Sequence, residues 1–324
     1  MPLSHAEAPD AASCSASSVR LGEPLAGSAP VAPRWLAIEQ PGPWGARALT
    51  SSHFPAELGR TLTHKAESAG VRIALIRRPG HHAEHDPDAP RRIYLTDTRP
   101  ERALLWSWTT SDPSTLLDLD FDVPGKPLHE GGPLLLVCTN GKRDRCCAVA
   151  GRALAGWLAE DARTPTEDVW ETDHLGGHRF APTALVLPSG YVYGRLQDPV
   201  EARQLLAKAA AGQVVTRHCR GRSTWSRPGQ AAELALREEL REYAADAVRV
   251  VAETRLADER ADRPAEGGQA AHRYEVRLRA GGVEYRAVLE EAAALEPRPE
   301  SCGKAFGTPL ELRLLELEKR EPGA

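Results

Sequence analysis

Residues able to do chemistry concentrate in one stretch of this 324-residue chain. Cys138, Cys146 and Cys147 are three of its six cysteines, and His174 and His178 follow within a few dozen positions. Thiolates and imidazoles are the side chains that suit zinc, copper and the iron of iron–sulfur clusters. The spacings are C-x8-C from Cys138 to Cys147, one residue less to Cys146, and H-x3-H from His174 to His178. On a helix, H-x3-H would put both rings on one face. Here Gly176-Gly177 intervene, so a tight loop is expected instead.

Several chemistries fit this spacing poorly. A zinc knuckle holds its cysteines two to four residues apart, narrower than the loop here. The Cys-x-x-Cys motif of thiol exchange is missing. Adjacent Cys146 and Cys147 are badly placed to bridge each other, and no nucleophile elbow accompanies the cysteines. A wide cysteine loop leaving a strand and entering a helix fits a cluster larger than one ion, its four ligands holding two irons.

The elements that must position these groups are legible in the apolar pattern. Trp35–Glu39 reads as a first strand, Phe54–Ala69 as a helix, and Val71–Ile76, Ile93–Thr96 and Ala103–Trp108 as further strands. A Pro/Gly-rich segment at 119–132 separates these from a second series of similar order. That series has strand Leu134–Thr139, helix Ala148–Glu160, strand Asp168–Thr172, hairpin Ala184–Leu187 with Tyr191–Arg195, and helix Val200–Ala211. The repeated order suggests a degenerate internal duplication. Beyond Gly212 a strand-like Val214-Val215, a helix over Gln230–Tyr243 and strands Ala247–Glu253, His272–Arg279 and Val283–Leu289 indicate a small α+β appendage. The expected organisation is a disordered leader (1–33), an α/β half (34–125), a second half carrying the cysteines and histidines (126–212), and the appendage (213–324).

Composition narrows the function classes. Apolar residues make up 41% and charged residues 27%, ordinary for a globular protein, and the net charge is −4. That balance gives no general signal for nucleic acid or membrane, and apolar runs fall short of the roughly 18–20 residues that span a bilayer. Met1–Ala16 lacks the pattern of a secretory signal, which predicts a cytoplasmic location. Six cysteines are too few for a disulfide scaffold of this length. The basic run Arg217, His218, Arg220, Arg222 and Arg227 around Trp225 could meet a nucleic acid, but pairing with acidic residues such as Glu233, Glu238 and Glu239 is the stronger expectation. His81, His82 and His85 read as a solvated loop, Cys14 as incidental, and Cys219 and Cys302 as ordinary cysteines.

The segments Cys138–Cys147, Glu171–Pro182 and the earlier Glu39-Gln40-Pro41-Gly42-Pro43-Trp44-Gly45 together resemble the sucrase/ferredoxin-like family over roughly residues 30–230. The resemblance implies thioredoxin-like α/β (α+β) architecture with a central mixed sheet, and a [2Fe–2S] cluster. Thioredoxin-like ferredoxins carry a C-x(8–12)-C pair followed by C-x3-C; this chain has histidines at both later positions. The implied ligands are Cys138, Cys147, His174 and His178, with Cys146 the alternative to Cys147 because the alignment is loose by one position. Two imidazoles in place of thiolates would raise the reduction potential, and their titration would make it fall as pH rises. Lys142, Arg143 and Arg145 would offset cluster charge, dock a partner, or simply be solvated. The resemblance implies an electron carrier serving a redox partner protein, rather than an enzyme. A zinc-bound or metal-free interaction module is the alternative. Glycosidase chemistry needs a placed carboxylate pair that one sequence does not reveal.

Overall fold

The computed structural model describes residues 13–81, 86–257, 272–294 and 296–320. His82 and His85 lie outside the described residues. Strands β1 (Arg34–Glu39), β2 (Val71–Arg77), β3 (Arg91–Asp97) and β4 (Leu104–Thr110) form one half of a large sheet. Strands β5 (Leu134–Cys138), β6 (Val169–Thr172), β7 (Ala184–Leu187) and β8 (Tyr191–Tyr193) form the other half. The sheet order is β4-β3-β1-β2-β6-β5-β7-β8-β9, with β9 at Cys219–Arg222.

The two halves repeat one topology. In each, the first two strands are parallel, the third pairs antiparallel with the first, and the fourth pairs antiparallel with the third. A helix follows the first strand in each half, α2 (Ala56–Ser68) and α3 (Arg152–Glu160), as a parallel crossover requires. The equivalent strands β2 and β6 then join antiparallel, Ile76 opposite Thr172 and Arg77 opposite Glu171. This arrangement has the form of a two-fold and matches the element repetition seen in the sequence.

Alternation along the strands builds a core on each face. Trp35, Ala37, Ile76, Leu134, Leu136, Cys138 and Trp170 share one apolar cluster that runs across both halves. Leu36 and Ile38 pack with Leu62 and Ala66 of α2, while Leu135 and Val137 pack with Leu154 and Leu158 of α3, on the opposite face. Every residue of β5 is fully buried, which is why its sequence is a continuous apolar run rather than an alternating one.

The expected disordered leader is corrected. Residues 1–12 lie outside the described residues, but Cys14–Arg20 forms α1, capped by the Ser13 side chain on Ala16 N–H. Cys14, Ala29 and Ala32 then pack on the shared face of the sheet. Small residues allow this close approach to the sheet, and Glu23 anchors the segment, with Arg179 at 2.6 Å and Arg298 at 2.9 Å. An Ala/Ser-rich stretch looks disordered because its burial comes from contacts remote in sequence.

Beyond α4 (Pro199–Ala210), Val214-Val215 is not a strand, and β9 joins the large sheet instead. Helix α5 (Arg227–Leu240) starts earlier than the apolar spacing suggests, because Ser226 caps Gly229 N–H and Pro228 sits in the first turn. Strands β10 (Val248–Arg255), β11 (His272–Ala280) and β12 (Val283–Ala293), then short β13 (Arg298–Pro299), β14 (Phe306–Gly307) and long β15 (Leu310–Lys319), complete the chain. β10-β11-β12-β15 is a separate antiparallel sheet packed on Ala232 and Leu236 of α5. The fold is α+β, as expected.

The basic run is structural, though with other partners than the sequence suggested. Arg222 pairs with Asp246 at 2.8 Å, Arg227 with Glu291 at 2.7 Å and Arg217 with Glu201 at 2.9 Å. Glu233 instead meets Arg237 and Tyr191 in the interior.

Candidate metal centre

Cys138 is the last residue of β5, and the chain turns immediately after it. Asn140 shapes the turn by accepting from Lys142 N–H at 3.0 Å and donating to the Gly45 carbonyl at 3.0 Å. This uses the earlier Glu39–Gly45 segment as a brace. The helix then opens with a π-helical turn, Cys147–Gly151, before α3. Such wide turns occur mostly as single insertions, often at functional sites. Gly151 lies so close to the Cys138 carbonyl that a Cβ would overlap it, so the helix carrying Cys147 can seat directly on the strand carrying Cys138.

The histidines come from the end of β6. Asp173 N–H donates to the Leu75 carbonyl, and its carboxylate accepts from Leu75 N–H. His174 is therefore tied to the neighbouring half of the sheet. Gly176 and Gly177 both have positive φ, 79° and 71°. The tight loop expected from their glycines is present. Buried Arg220 supports it from below, donating to the Gly176 carbonyl at 2.9 Å.

These elements bring Cys138, Cys147, His174 and His178 together. Cys147 Sγ lies 3.4 Å from His178 Nδ1, and the His178 and His174 rings stack with centroids 4.9 Å apart. Cys138 completes the ring of neighbours, beside both Cys147 and His174. The hydrogen bond from Cys147 pulls the Cys138 thiol well below its usual range, against the effect of burial, while the nearby His174 also favours the thiolate. That same hydrogen bond and burial push Cys147 up. Burial and the neighbouring His174 lower His178. His174 Nε2 contacts the Arg143 guanidinium at 3.1 Å, while its Nδ1 is buried without a hydrogen-bond partner among the described residues.

Cys146 belongs to a different group. It contacts Cys14 Sγ at 3.6 Å, Cys302 Sγ at 3.2 Å and Ser15 Oγ at 3.3 Å. Cys14 and Cys302 are 3.5 Å apart. With Asp144 they make a group whose ligand atoms all lie within 4.8 Å of one another, an arrangement able to hold a metal ion. Hydrogen bonding from Cys14 helps pull Cys146 down to about 5, and burial raises Cys302. The readings of Cys14 as incidental and Cys302 as ordinary are thus corrected. Cys219 remains a buried thiol whose Sγ donates to the Val192 carbonyl at 3.7 Å.

The sequence offered no signal for this second group, because 288 positions separate Cys14 from Cys302 and no local spacing links them. It also missed two arginines beside the first group, Arg220 buried and Arg72 half-buried. Arg72 and Arg220 both feel the charge on Cys138, and burial lowers both, Arg220 to about 9. Lys142, Arg143 and Arg145, by contrast, are exposed. Among the described residues no helix is long and apolar enough to cross a membrane.

The profile of the sucrase/ferredoxin-like family matches residues 25–221, spanning both halves of the large sheet and the four converging residues. No curated protein and no solved structure matches the chain. With more than half of its length matched, this chain belongs to the sucrase/ferredoxin-like family.

Proposed function

We propose that this protein is an electron carrier holding a [2Fe–2S] cluster through Cys138, Cys147, His174 and His178. The observation carrying the proposal is the convergence of two thiols and two imidazoles from one strand end, one helix start and one loop, with His174 Nδ1 buried and without a hydrogen-bond partner among the described residues. An inward nitrogen without a partner is costly unless something binds it. The donor set fits iron. When bound there, the cluster supplies a one-electron couple, with a higher potential than four thiolates would give.

The chain's residues prepare that site. Half-buried Arg72 and buried Arg220 place positive charge beside Cys138, offsetting the thiolates. Arg143 holds the outer nitrogen of His174 and so fixes the ring with Nδ1 facing inward. The loop glycines let His178 fold back over His174.

His174 also reaches the surface. With Arg143 it lines an open cleft of about 1010 Å³ whose walls include Arg47, Arg60, His64 and Arg72. A basic cleft at the edge of a redox ligand suits an acidic partner protein docking there.

Protein purified without oxygen is expected to be red-brown, with about two irons per chain and a rhombic paramagnetic signal on reduction. Retention of iron should require both histidines. Colourless protein that takes up no iron on anaerobic reconstitution with iron and sulfide would refute the proposal.

A further inference from the structure

The group formed by Cys14, Asp144, Cys146 and Cys302 joins three remote parts of the chain, the first turn of α1, the start of the π-helical turn and the tail after β13. We infer that these four residues are a second, mononuclear zinc site that clasps both terminal segments to the centre of the fold. The site is separate from the four residues assigned to the cluster, and its case does not rest on that assignment.

Geometry carries the inference. Three sulfurs form a triangle with edges of 3.2, 3.5 and 3.6 Å. Zinc bound tetrahedrally with Zn–S near 2.3 Å requires an edge of about 3.8 Å, so a slight opening of the triangle admits the ion. The Asp144 oxygens lie 3.7 and 3.8 Å from Cys14 Sγ, the spacing expected between a thiolate and a carboxylate on one zinc. A disulfide accounts for the group less well, because pairing any two of the three sulfurs leaves the third without a partner thiol and Asp144 without a cation.

The surroundings point the same way. Asp144 accepts from Cys146 N–H at 2.8 Å, and from Ser301 Oγ–H and Cys302 N–H at 2.7 Å each. Ser15 Oγ–H donates to Cys146 Sγ. Such outer hydrogen bonds orient metal ligands. Cys14 is 1%, Asp144 3% and Cys146 5% exposed. Among the described residues no lysine, arginine or histidine forms an ion pair with Asp144, although the carboxylates buried as deeply, Glu23, Glu171 and Glu233, each pair with an arginine. A divalent cation supplies the missing positive charge. Three soft thiolates and one carboxylate in a closed, four-ligand setting select zinc over magnesium or calcium.

The consequence is a division of labour within the vicinal pair: Cys147 faces the histidines and Cys146 faces the termini. Zinc binding would displace the thiol protons and tie residue 14 to residue 302 through the core, stabilising the fold as a structural metal does. It would also hold the leader and tail against the helix that carries Cys147.

The test uses the full chain, purified anaerobically, with metal content measured per folded protein. Wild-type protein should carry one zinc in addition to any iron. Cys14→Ser and Cys302→Ser should each lose the zinc, while a His174→Ala/His178→Ala variant keeps it. Cobalt(II) added to metal-stripped wild type should show the intense visible bands of a tetrahedral thiolate site, absent in Cys302→Ser. Cys302 is only partly buried, so that variant is expected to fold even if Cys14→Ser does not, with circular dichroism as the check. Wild type that binds neither zinc nor cobalt would overturn the inference. So would zinc retained in full by folded Cys302→Ser, or a disulfide among the three cysteines that persists in place of metal after mild reduction.

Discussion

Glu171→Ala should destabilise the protein severely, because this carboxylate holds the two halves of the sheet together beside the candidate centre. Arg77 and Glu171 face each other across the β2–β6 joint, with side chains 3% and 1% exposed. Arg77 Nε and Nη2 each lie 2.9 Å from Glu171 Oε2, and Thr139 Oγ1–H donates to the same oxygen at 2.9 Å. Removing the carboxylate leaves a guanidinium in the interior whose remaining partners among the described residues are the Gly42 carbonyl and the face of Trp44. Breaking one member of a buried pair costs about 3–5 kcal/mol, a large part of the 5–15 kcal/mol typical of a whole domain. Thr139 adjoins Cys138, and Thr172 leads into the histidine loop, so iron retention should fall with stability. The assay is denaturant unfolding of wild type, Glu171→Ala, Arg77→Met and the double variant. The double variant should recover part of the loss, since it no longer leaves a charge unpaired. A Glu171→Ala cost below about 1 kcal/mol, the value typical of exposed pairs, would refute the reasoning.

Other expectations follow from the same contacts. Cys147→Ser should abolish iron binding, whereas Cys146→Ser should keep the iron and lose the zinc; elemental analysis of the two proteins distinguishes them. Gly151→Ala pushes a methyl group into the Cys138 carbonyl and should cost about 1–3 kcal/mol, with reduced iron content, measured by thermal unfolding and iron assay. Burial raises Glu23, but the ion pairs with Arg298 and Arg179 outweigh it and hold the acid below its usual 4.5. Its contribution should therefore be fully present above about pH 4.5 and fade as pH falls through the lower folded value; Glu23→Gln should flatten that acid limb in unfolding experiments run from pH 7 to pH 3. Arg143→Glu, at the mouth of the basic cleft, should slow oxidation of the reduced protein by ferricyanide on the order of tenfold at low salt, with the difference shrinking as salt is added; stopped-flow absorbance reads it.

The sequence by itself determined the elements that repeat and the residues that converge. Strong period-two and period-3.6 patterns marked the β-α-β-β-β order of each half, since buried faces impose those periods locally. The H-x3-H pair across two glycines implied a folded-back loop, and the left-handed Gly176 and Gly177 provide it. The wide cysteine loop was readable because strand end, turn and helix start are neighbours along the chain.

Only the tertiary structure decided the rest. Whether Cys146 or Cys147 faces the histidines depends on the direction of a helix start, and one residue of helix turns a side chain by about 100°. Cys14 and Cys302 carried no spacing signal, because their meeting depends on the leader crossing the sheet and the tail returning from β12. The ordering of an Ala/Ser-rich leader likewise rests on Glu23 finding Arg179 and Arg298, partners 156 and 275 positions away. Buried charge beside the centre came from Arg220, with half-buried Arg72 next to it, not from the exposed basic loop between the cysteines. Local pattern records what each segment buries; it does not record which distant segment supplies the cover.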